Sequence, residues 1–459
     1  MVVVVFDELP TATLMERSGT RIDRRRFPGF ARLAAHSTLY RNNTTVADFT
    51  GRAMPAIETG TIPRHNALPV ASQYPDSIFT LLGRRYRFNV SEPVTRVCPR
   101  SLCGRRGAAA SGAAGKFAQG KFVPPKPREF RRFLERIPRG GRSLNFIHFE
   151  VPHAPYHFLP DGRAYNYAPI SDLTTPNAQR WAAGPGGVAT SWQRHYIQTG
   201  YADTLTGRLI ARLRKLGIWR RALVVVTADN GASFDPGKYR RIAKPGNLAA
   251  IANTPLFVRY PGQTQGQVSD LHTETIDIVP TVARVLGIEL PYEADGQPIS
   301  EIVAERPVRV ANSFRQIVEM PISGLLAQRE IVLGDAARAL GARTSLFALG
   351  PRSDLIGRRA PAARGSGGAH IDRRLDFDRV RLGAAKLPAF VNGTVRGSLA
   401  GEVIAIGVNG RIAATCRAFR FRGRTRWGAV IRPSTLRRGR NSVGVHLLRG
   451  GRLVPLGAG

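Results

Sequence analysis

Two apolar runs in this chain stop abruptly at polar tips. Leu223-Val224-Val225-Val226-Thr227-Ala228 ends in Asp229-Asn230-Gly231, and Val2-Val3-Val4-Val5-Phe6 ends in Asp7-Glu8. Unbroken β-branched runs read as strands buried on both faces of a parallel sheet, where ligands collect at the carboxyl ends. Asn145 to Glu150 reads as a third buried strand, running into Val151-Pro152-His153-Ala154-Pro155-Tyr156. Prolines on both sides of His153 exclude helix and inner strand, so the imidazole is expected in a rigid loop. Thr254 to Arg259 reads as another strand, closed by Pro261-Gly262.

Helical spacing fills the intervals. Arg26 to Ala35 places Phe27, Phe30, Leu33 and Ala34 on one face, and Gly51 onward alternates small and apolar residues up to Thr59-Gly60. Trp192 to Gly217 carries Ile197, Tyr201, Leu205, Leu209, Leu213 and Leu216 near four-residue spacing, and Thr275-Ile276-Asp277 opens a helix to about Leu286. Strands alternating with helices predict an α/β fold on a mostly parallel central sheet. Gly104 to Gly120 is expected to be a surface loop. From Phe390 onward, β-branched runs punctuated by Asn392-Gly393, Asn409-Gly410 and Arg440-Asn441 predict hairpins of a small β-rich domain. The expected division is 1–305 as the main domain, 306–388 as linker and loosely packed sequence, and 389–459 as the β-rich piece.

Asp7, Glu8, Asp229 and Asn230, if their strands are neighbours, gather up to four oxygen donors. Such a set suits one hard divalent cation, Ca, Mg or Mn, without choosing among them. Thr50, at a loop-to-helix junction, is either a helix cap or a hydroxyl facing an anion at the helix N-terminus. His153 is either a packed loop residue or part of a site. Arg241 and Lys244, on a polar segment after Gly231, are candidate partners for substrate charge.

The 459 residues are 43% hydrophobic and 22% charged, ordinary for a folded protein, but the formal net charge is +36. The arginines are scattered, and no zinc-finger spacing, RNA-binding aromatic motif or basic zipper accompanies them, which argues against a specific nucleic-acid reader. The surface is instead suited to anionic polymers or lipid headgroups. Cys98 and Cys103 are spaced to close a small loop by a disulfide, while Cys416 reads as a small core residue. No run is long enough for a signal peptide or a transmembrane helix. The first strand starts at Met1 with nothing leading into it, which implies sequence upstream.

The ordered set Val2 to Glu8, Thr50 to Gly60, Pro152-His153-Ala154-Pro155, Thr227 to Gly231, Pro261-Gly262 and Ile276 to Thr281 resembles the sulfatase branch of the alkaline phosphatase superfamily, in particular its bacterial membrane-tethered hydrolases and transferases. The resemblance covers about residues 1–300. It implies a central sheet sandwiched by helices, a metal site of Asp7, Glu8, Asp229, Asn230 and Thr50, and catalytic roles for Thr50 as nucleophile, for His153 at the transferring group, and for Arg241 and Lys244 as charge partners. It implies a hydrolase or transferase of sulfate or phosphate esters, working in the cell envelope or on the extracellular face if an upstream anchor exists. An inactive binder of anionic envelope polymers is the alternative.

Sulfatases that use formylglycine carry Cys or Ser in a Cys/Ser-x-Pro-x-Arg motif. Thr50-Gly51-Arg52-Ala53-Met54 lacks the convertible residue, the Pro and the Arg, which argues against formylglycine. Phosphodiesterase and phosphoglycerol-transferase relatives use an unmodified Thr. Asn230, in contrast, resembles the single-calcium sulfatase pattern.

Overall fold

The computed structural model describes residues 1–63, 67–107, 127–166, 180–181, 184–340, 343–362 and 367–456. Most of the expected loop from Gly104 to Gly120 lies outside them. Strands are numbered along the chain. The chain divides into two compact units that each draw on separate stretches: 1–153, 202–233 and 241–334 in the first, and 154–201, 234–240 and 335–459 in the second.

The first unit holds a seven-stranded sheet of β1 (Val2–Asp7), β2 (Thr38–Tyr40), β3 (Arg87–Ser91), β4 (Ser143–Pro152), β6 (Val224–Ala228), β7 (Leu256–Arg259) and β8 (Gln267–Ser269), in the order β3-β4-β1-β6-β7-β2-β8. β3, β4, β1 and β6 run parallel, β7 is antiparallel to both neighbours, and β2 and β8 are parallel again. The mostly parallel expectation holds, with β7 as the reversal.

Helices cover both faces because side chains alternate along each strand. Val3, Val5, Phe146 and Val225 pack on one face with Met54 and Ile57 of the helix Thr50–Thr59, Phe79, and Val279 and Val282 of the helix Ile278–Leu286. Phe6 meets Phe30 of the helix Pro28–Ala34 on the other, ring centroids 5.8 Å apart, and Phe149 meets Phe130 of the helix Pro127–Glu135 at 5.3 Å. Gly29 brings that first helix close to residue 203: a Cβ there would stand 2.1 Å from the Asp203 carbonyl oxygen. Cys98 and Cys103 form the expected disulfide.

Where the sequence pattern suggests a linker, the structure has regular elements. A hairpin of β9 (Val308–Ala311) and β10 (Ile317–Met320) and the helix Ile322–Leu340 bury Val308, Val310, Val318, Ile322 and Leu325 against Leu248 and Ile251. Arg/Ala/Gly-rich composition hid the short apolar alternation that builds this cluster.

The second unit contains a two-stranded parallel pair, β5 (Ala164–Tyr165) with β12 (Lys386–Leu387), and two four-stranded sheets. One is ordered β11 (Ala369–Ile371), β13 (Phe390–Val395), β17 (Arg424–Val430), β16 (Phe419–Phe421); the other β15 (Arg411–Arg417), β14 (Val403–Val408), β18 (Val443–Arg449), β19 (Arg452–Pro455). All pairings within these two sheets are antiparallel. Asn409-Gly410 is the expected turn between β14 and β15, both residues at positive φ. Asn392-Gly393, expected as a turn, lies inside β13. Its glycine serves close strand approach, since a Cβ at 393 would fall 1.8 Å from the His370 carbonyl oxygen. Cys416 is buried in β15.

The helix Thr50–Thr59 ends at Gly60, left-handed with φ 76°. One turn earlier, Glu58 is fully buried beside Glu92. Thr95 Oγ1 donates to Glu92 at 3.1 Å and to Glu58 at 3.4 Å, and the backbone N–H groups of Val97 and Cys98 donate to Glu92 at 2.9 and 3.1 Å. Glu92 has the better donors and takes the charge; Glu58 keeps the proton, its carboxyl pushed well above its ordinary value by burial and then by the Glu92 charge. Burial also raises Glu92. Acids raised by folding bind protons more tightly folded than unfolded, so stability falls as pH rises above the ordinary Glu value of 4.5. Gln at 58 donates to Glu92 without needing that proton. Thermal melts from pH 5 to 8 should therefore show a shallower loss of Tm for Glu58→Gln than for the parent, and an identical slope would contradict the shared proton.

Candidate active site

Alternation along three adjacent strands assembles the site. Val5 pairs in register with His148 on one side and Thr227 on the other, so the face that carries Val3, Phe146 and Val225 continues outward to His148, Asp7 and Asp229. Apolar residues anchor the strands below, and polar side chains emerge together at their carboxyl ends. Backbone bonds stitch the β1 and β6 tips: Leu9 N–H donates to Asn230 O at 2.9 Å, and Asp229 Oδ1 accepts from Asn230 N–H at 2.7 Å and Glu8 N–H at 3.3 Å. Glu8 adopts φ 59°, a left-handed conformation uncommon for a residue with a Cβ. Gly231 is required by packing, because a Cβ there would lie 2.1 Å from the Ala250 carbonyl oxygen.

Thr50 is the first residue of its helix and not the cap. Phe49 occupies the N-cap position in extended conformation, without a side-chain capping bond. The Thr50 hydroxyl instead donates to Asp7 Oδ2 at 3.5 Å and favours the charged form of the Asp229 carboxyl. It stands where the helix dipole and free backbone N–H groups favour an anion.

Asp7, His148 and Asp229 each offer a ligand atom, all within 4.8 Å of one another, and all three are buried. Asp7 Oδ1, Asp229 Oδ2 and Asn230 Oδ1 are buried acceptors without a hydrogen-bond partner among the described residues. Leaving buried oxygens unmatched costs about 1–3 kcal/mol each, and a cation would satisfy all three at once. The donor set fits a metal ion. Burial raises the Asp7 carboxyl, but the neighbouring His153, His148 and Arg241 outweigh it and hold it at about 2. Asp229 is pushed well above its ordinary value by burial and then by the Asp7 charge. Two adjacent buried carboxylates cannot both ionise cheaply without added positive charge.

A second triad, Asp7, Glu8 and His153, shares Asp7 with the first. Here a side chain supplies the cation. Arg241 Nη1 lies 3.2 Å from Glu8 Oε1 and donates to His153 Nε2 at 2.7 Å. His153 Nε2 is also 3.3 Å from Glu8 Oε1. Asp48, two residues before Thr50, accepts from the N–H of Ala243 at 2.8 Å and from Ser313 Oγ at 2.8 Å. The bond from Ala243 fixes the Arg241 segment relative to the Thr50 segment.

The structure thus brings Asp7, Glu8, Thr50, His153, Asp229, Asn230 and Arg241 together. It does not bring Lys244, whose ammonium bonds Gln316 Oε1 at 3.1 Å and lies 4.9 Å from the centre of the Phe314 ring. The expectation that prolines keep the histidine segment out of the sheet needs amending: Pro152 is the last residue of β4, opposite Asp7 beyond a bulge, and His153 follows the strand. Sequence reading passed over His148 and Asp48. The signal for His148 was its parity with Leu144 and Phe146 in an otherwise apolar strand, which aims it where β1 aims Asp7. Asp48 carried no local signal, because its partners Ala243 and Ser313 lie some 200 residues or more away.

Comparison with known proteins finds the following likenesses. Residues 128–288, which include His148, His153, Asp229, Asn230 and Arg241, match the family model described as Sulfatase. The chain is 29% identical over 132 residues to the multifunctional alkaline phosphatase superfamily protein PehA of Trinickia caryophylli, covering 27% of this chain and 25% of that protein. It is 23% identical over 208 residues to an endo-4-O-sulfatase of Bacteroides thetaiotaomicron, covering 43% and 40%. It therefore spans less than half the length of either relative. Among solved structures it is similar to the phosphonate monoester hydrolase SpPMH from Silicibacter pomeroyi, at TM-score 0.46 and 19% identity over 67% of this chain and 79% of that one. The likeness to the sulfatase family is carried by residues 128–288.

Proposed function

We propose that the protein is a metal-dependent hydrolase or transferase of sulfate or phosphate esters, with Thr50 as its nucleophile. The observation that carries this reading is the Thr50 hydroxyl at a helix N-terminus, in hydrogen-bond reach of Asp7 and Asp229 and beside three unmatched buried oxygens. The relatives' names, a sulfatase and a multifunctional alkaline phosphatase superfamily protein, supply the ester class.

Asp7, Asp229, Asn230 and Thr50 would hold one divalent cation, with Glu8 bordering the site through Asp7. Bound there, the cation would lower the pKa of the Thr50 hydroxyl and polarise the ester. One ion is the natural count, because the Arg241 guanidinium already balances Glu8 in the second triad. Thr50 Oγ1 gives its proton to a neighbouring carboxylate and attacks sulfur or phosphorus in line. The bond to the leaving oxygen breaks, and that oxygen takes a proton from solvent water. Water or an acceptor alcohol then releases the group from Thr50. Arg241 faces the equatorial oxygens, where its charge is worth most in the transition state.

The unmodified Thr50 favours phosphate esters and Asn230 favours sulfate esters, so both belong to the proposed range. The strongly cationic surface suits an anionic substrate such as an envelope polymer or a lipid headgroup. No described helix is long and apolar enough to cross a membrane; an envelope location remains part of the proposal and would need an anchor elsewhere.

Thr50→Ala should lower turnover of aryl phosphate diesters and aryl sulfates by about 10³-fold or more, the scale for loss of a nucleophile, with an unchanged melting curve. Undiminished turnover would remove Thr50 from the mechanism and favour a non-catalytic binder. Arg241→Lys keeps a charge but loses the planar fork that spans Glu8 and His153. Steady-state kinetics should show a fall in kcat/KM of about 10²-fold, the scale of one lost transition-state donor, seated mainly in kcat.

A further inference from the structure

The oxygen-rich strand tips point to a hard cation, and His148 changes that balance. Its ring is 0% exposed, on β4 between Ile147 and Phe149. Both ring nitrogens lack a hydrogen-bond partner among the described residues, and Nε2 lies 3.5 Å from Asp7 Oδ2. An imidazole that serves only packing keeps its N–H satisfied, and burying it otherwise is costly. Here the unmatched ring shares a pocket with three unmatched acceptor oxygens, and its ligand atom is within 4.8 Å of those of Asp7 and Asp229.

We propose that His148 is a nitrogen ligand of the cation and makes the site select a first-row transition ion, of the Mn or Zn class, over Ca and Mg. This rests on the reading of the strand tips as a metal site. The selectivity follows from donor type. Calcium takes oxygen ligands, six to eight of them, and magnesium keeps an oxygen octahedron with several waters, whereas imidazole suits transition ions. A compact set of Asp7, Asp229, Asn230, the Thr50 hydroxyl and one imidazole provides few donors for calcium and a fixed nitrogen it does not favour. Strand pairing holds the nitrogen in place: Val5 against His148 sets the ring two residues below Asp7 on the same face, and it is fully buried there.

The test uses the full chain, stripped with a chelator and re-equilibrated with Ca, Mg, Mn, Zn or Co separately. Metal content by mass spectrometry and Tm shifts report affinity, and the visible spectrum of bound Co reports ligand type. Mn, Zn and Co should bind at least about tenfold tighter than Ca, as expected from the donor set, and Mn should show spin-echo modulation from a coordinated nitrogen. His148→Gln, which offers an oxygen of similar reach, should lose the nitrogen signal and bring Ca level with Mn. The nitrogen signal is read on the parent protein, so a variant that fails to fold does not spare the proposal. Calcium bound as tightly as Mn or Zn, or no nitrogen modulation from bound Mn, overturns this inference and leaves the ester-hydrolase reading standing. No bound ion under any condition overturns both.

Discussion

Three carboxylates, Asp7, Glu8 and Asp229, sit at 0–2% exposure at the ends of two adjacent strands. Buried charge at that density is affordable only if something positive or something protonated meets each group. Most of the polar architecture of the first unit answers that demand. Asp229 accepts two backbone N–H groups at one oxygen and leaves the other unmatched. Asp7 has His148, Thr50 and the field of Arg241 around it. Glu8 meets Arg241 and His153. Unmet at these strand ends, among the described residues, are Asp7 Oδ1, Asp229 Oδ2, both polar atoms of the Asn230 amide, Arg241 Nε and the His148 ring, and the carboxylate oxygens among them are what a cation would answer.

The two triads share Asp7 and divide the positive charge between them. A guanidinium is fixed, always charged and planar, so it can balance Glu8 while presenting its remaining N–H groups to an anion. A cation held in the other triad is removable and can act as a Lewis acid on the same anion. Thr50 donates to Asp7, which both triads share, while His153 and Arg241 belong to the second. The Thr50 hydroxyl marks one flank of this arrangement and the Arg241 guanidinium the other. Asp48 links the two flanks by taking the N–H of Ala243, close to Arg241 in sequence, from a position two residues before Thr50.

The strand tips were legible because burial on both faces writes an uninterrupted apolar run, and a polar residue ending such a run stands out. Thr50 was legible only as one of two readings; Phe49 at the cap position, with the hydroxyl turned to Asp7, removes the capping one. His148 was hidden by its neighbours: in Asn145-Phe146-Ile147-His148-Phe149 the apolar flanks suggest a packed histidine, and only strand pairing shows which row it joins. Lys244 was misjudged for the opposite reason, since a cation near a candidate site looks relevant until Gln316 and Phe314 are seen to hold it. Asn392-Gly393 looked like a turn because local chemistry favours one, yet the approach of His370 on the paired strand demands a glycine inside the strand. The errors share a cause: each depends on a partner distant in sequence.

The helix Thr50–Thr59 joins two electrostatic problems of opposite kind. Its N-terminus, with free N–H groups and a positive dipole end, must face negative charge, and it faces Asp7 and Asp229. Its C-terminal end carries partial negative charge, yet Glu58 is buried there. An ionised Glu58 would meet the dipole, Glu92 and a dry interior together, so keeping the proton is the cheapest state. Between the ends, Met54 and Ile57 pack on Val3 and Val5, the strand residues that lead to Asp7. Apolar burial therefore sets the distance from hydroxyl to carboxylate, and a protonated acid at the far end lets the helix sit that deep. The position of Thr50 is a property of the core, which explains how a single hydroxyl can be held beside two carboxylates without a side-chain cap of its own.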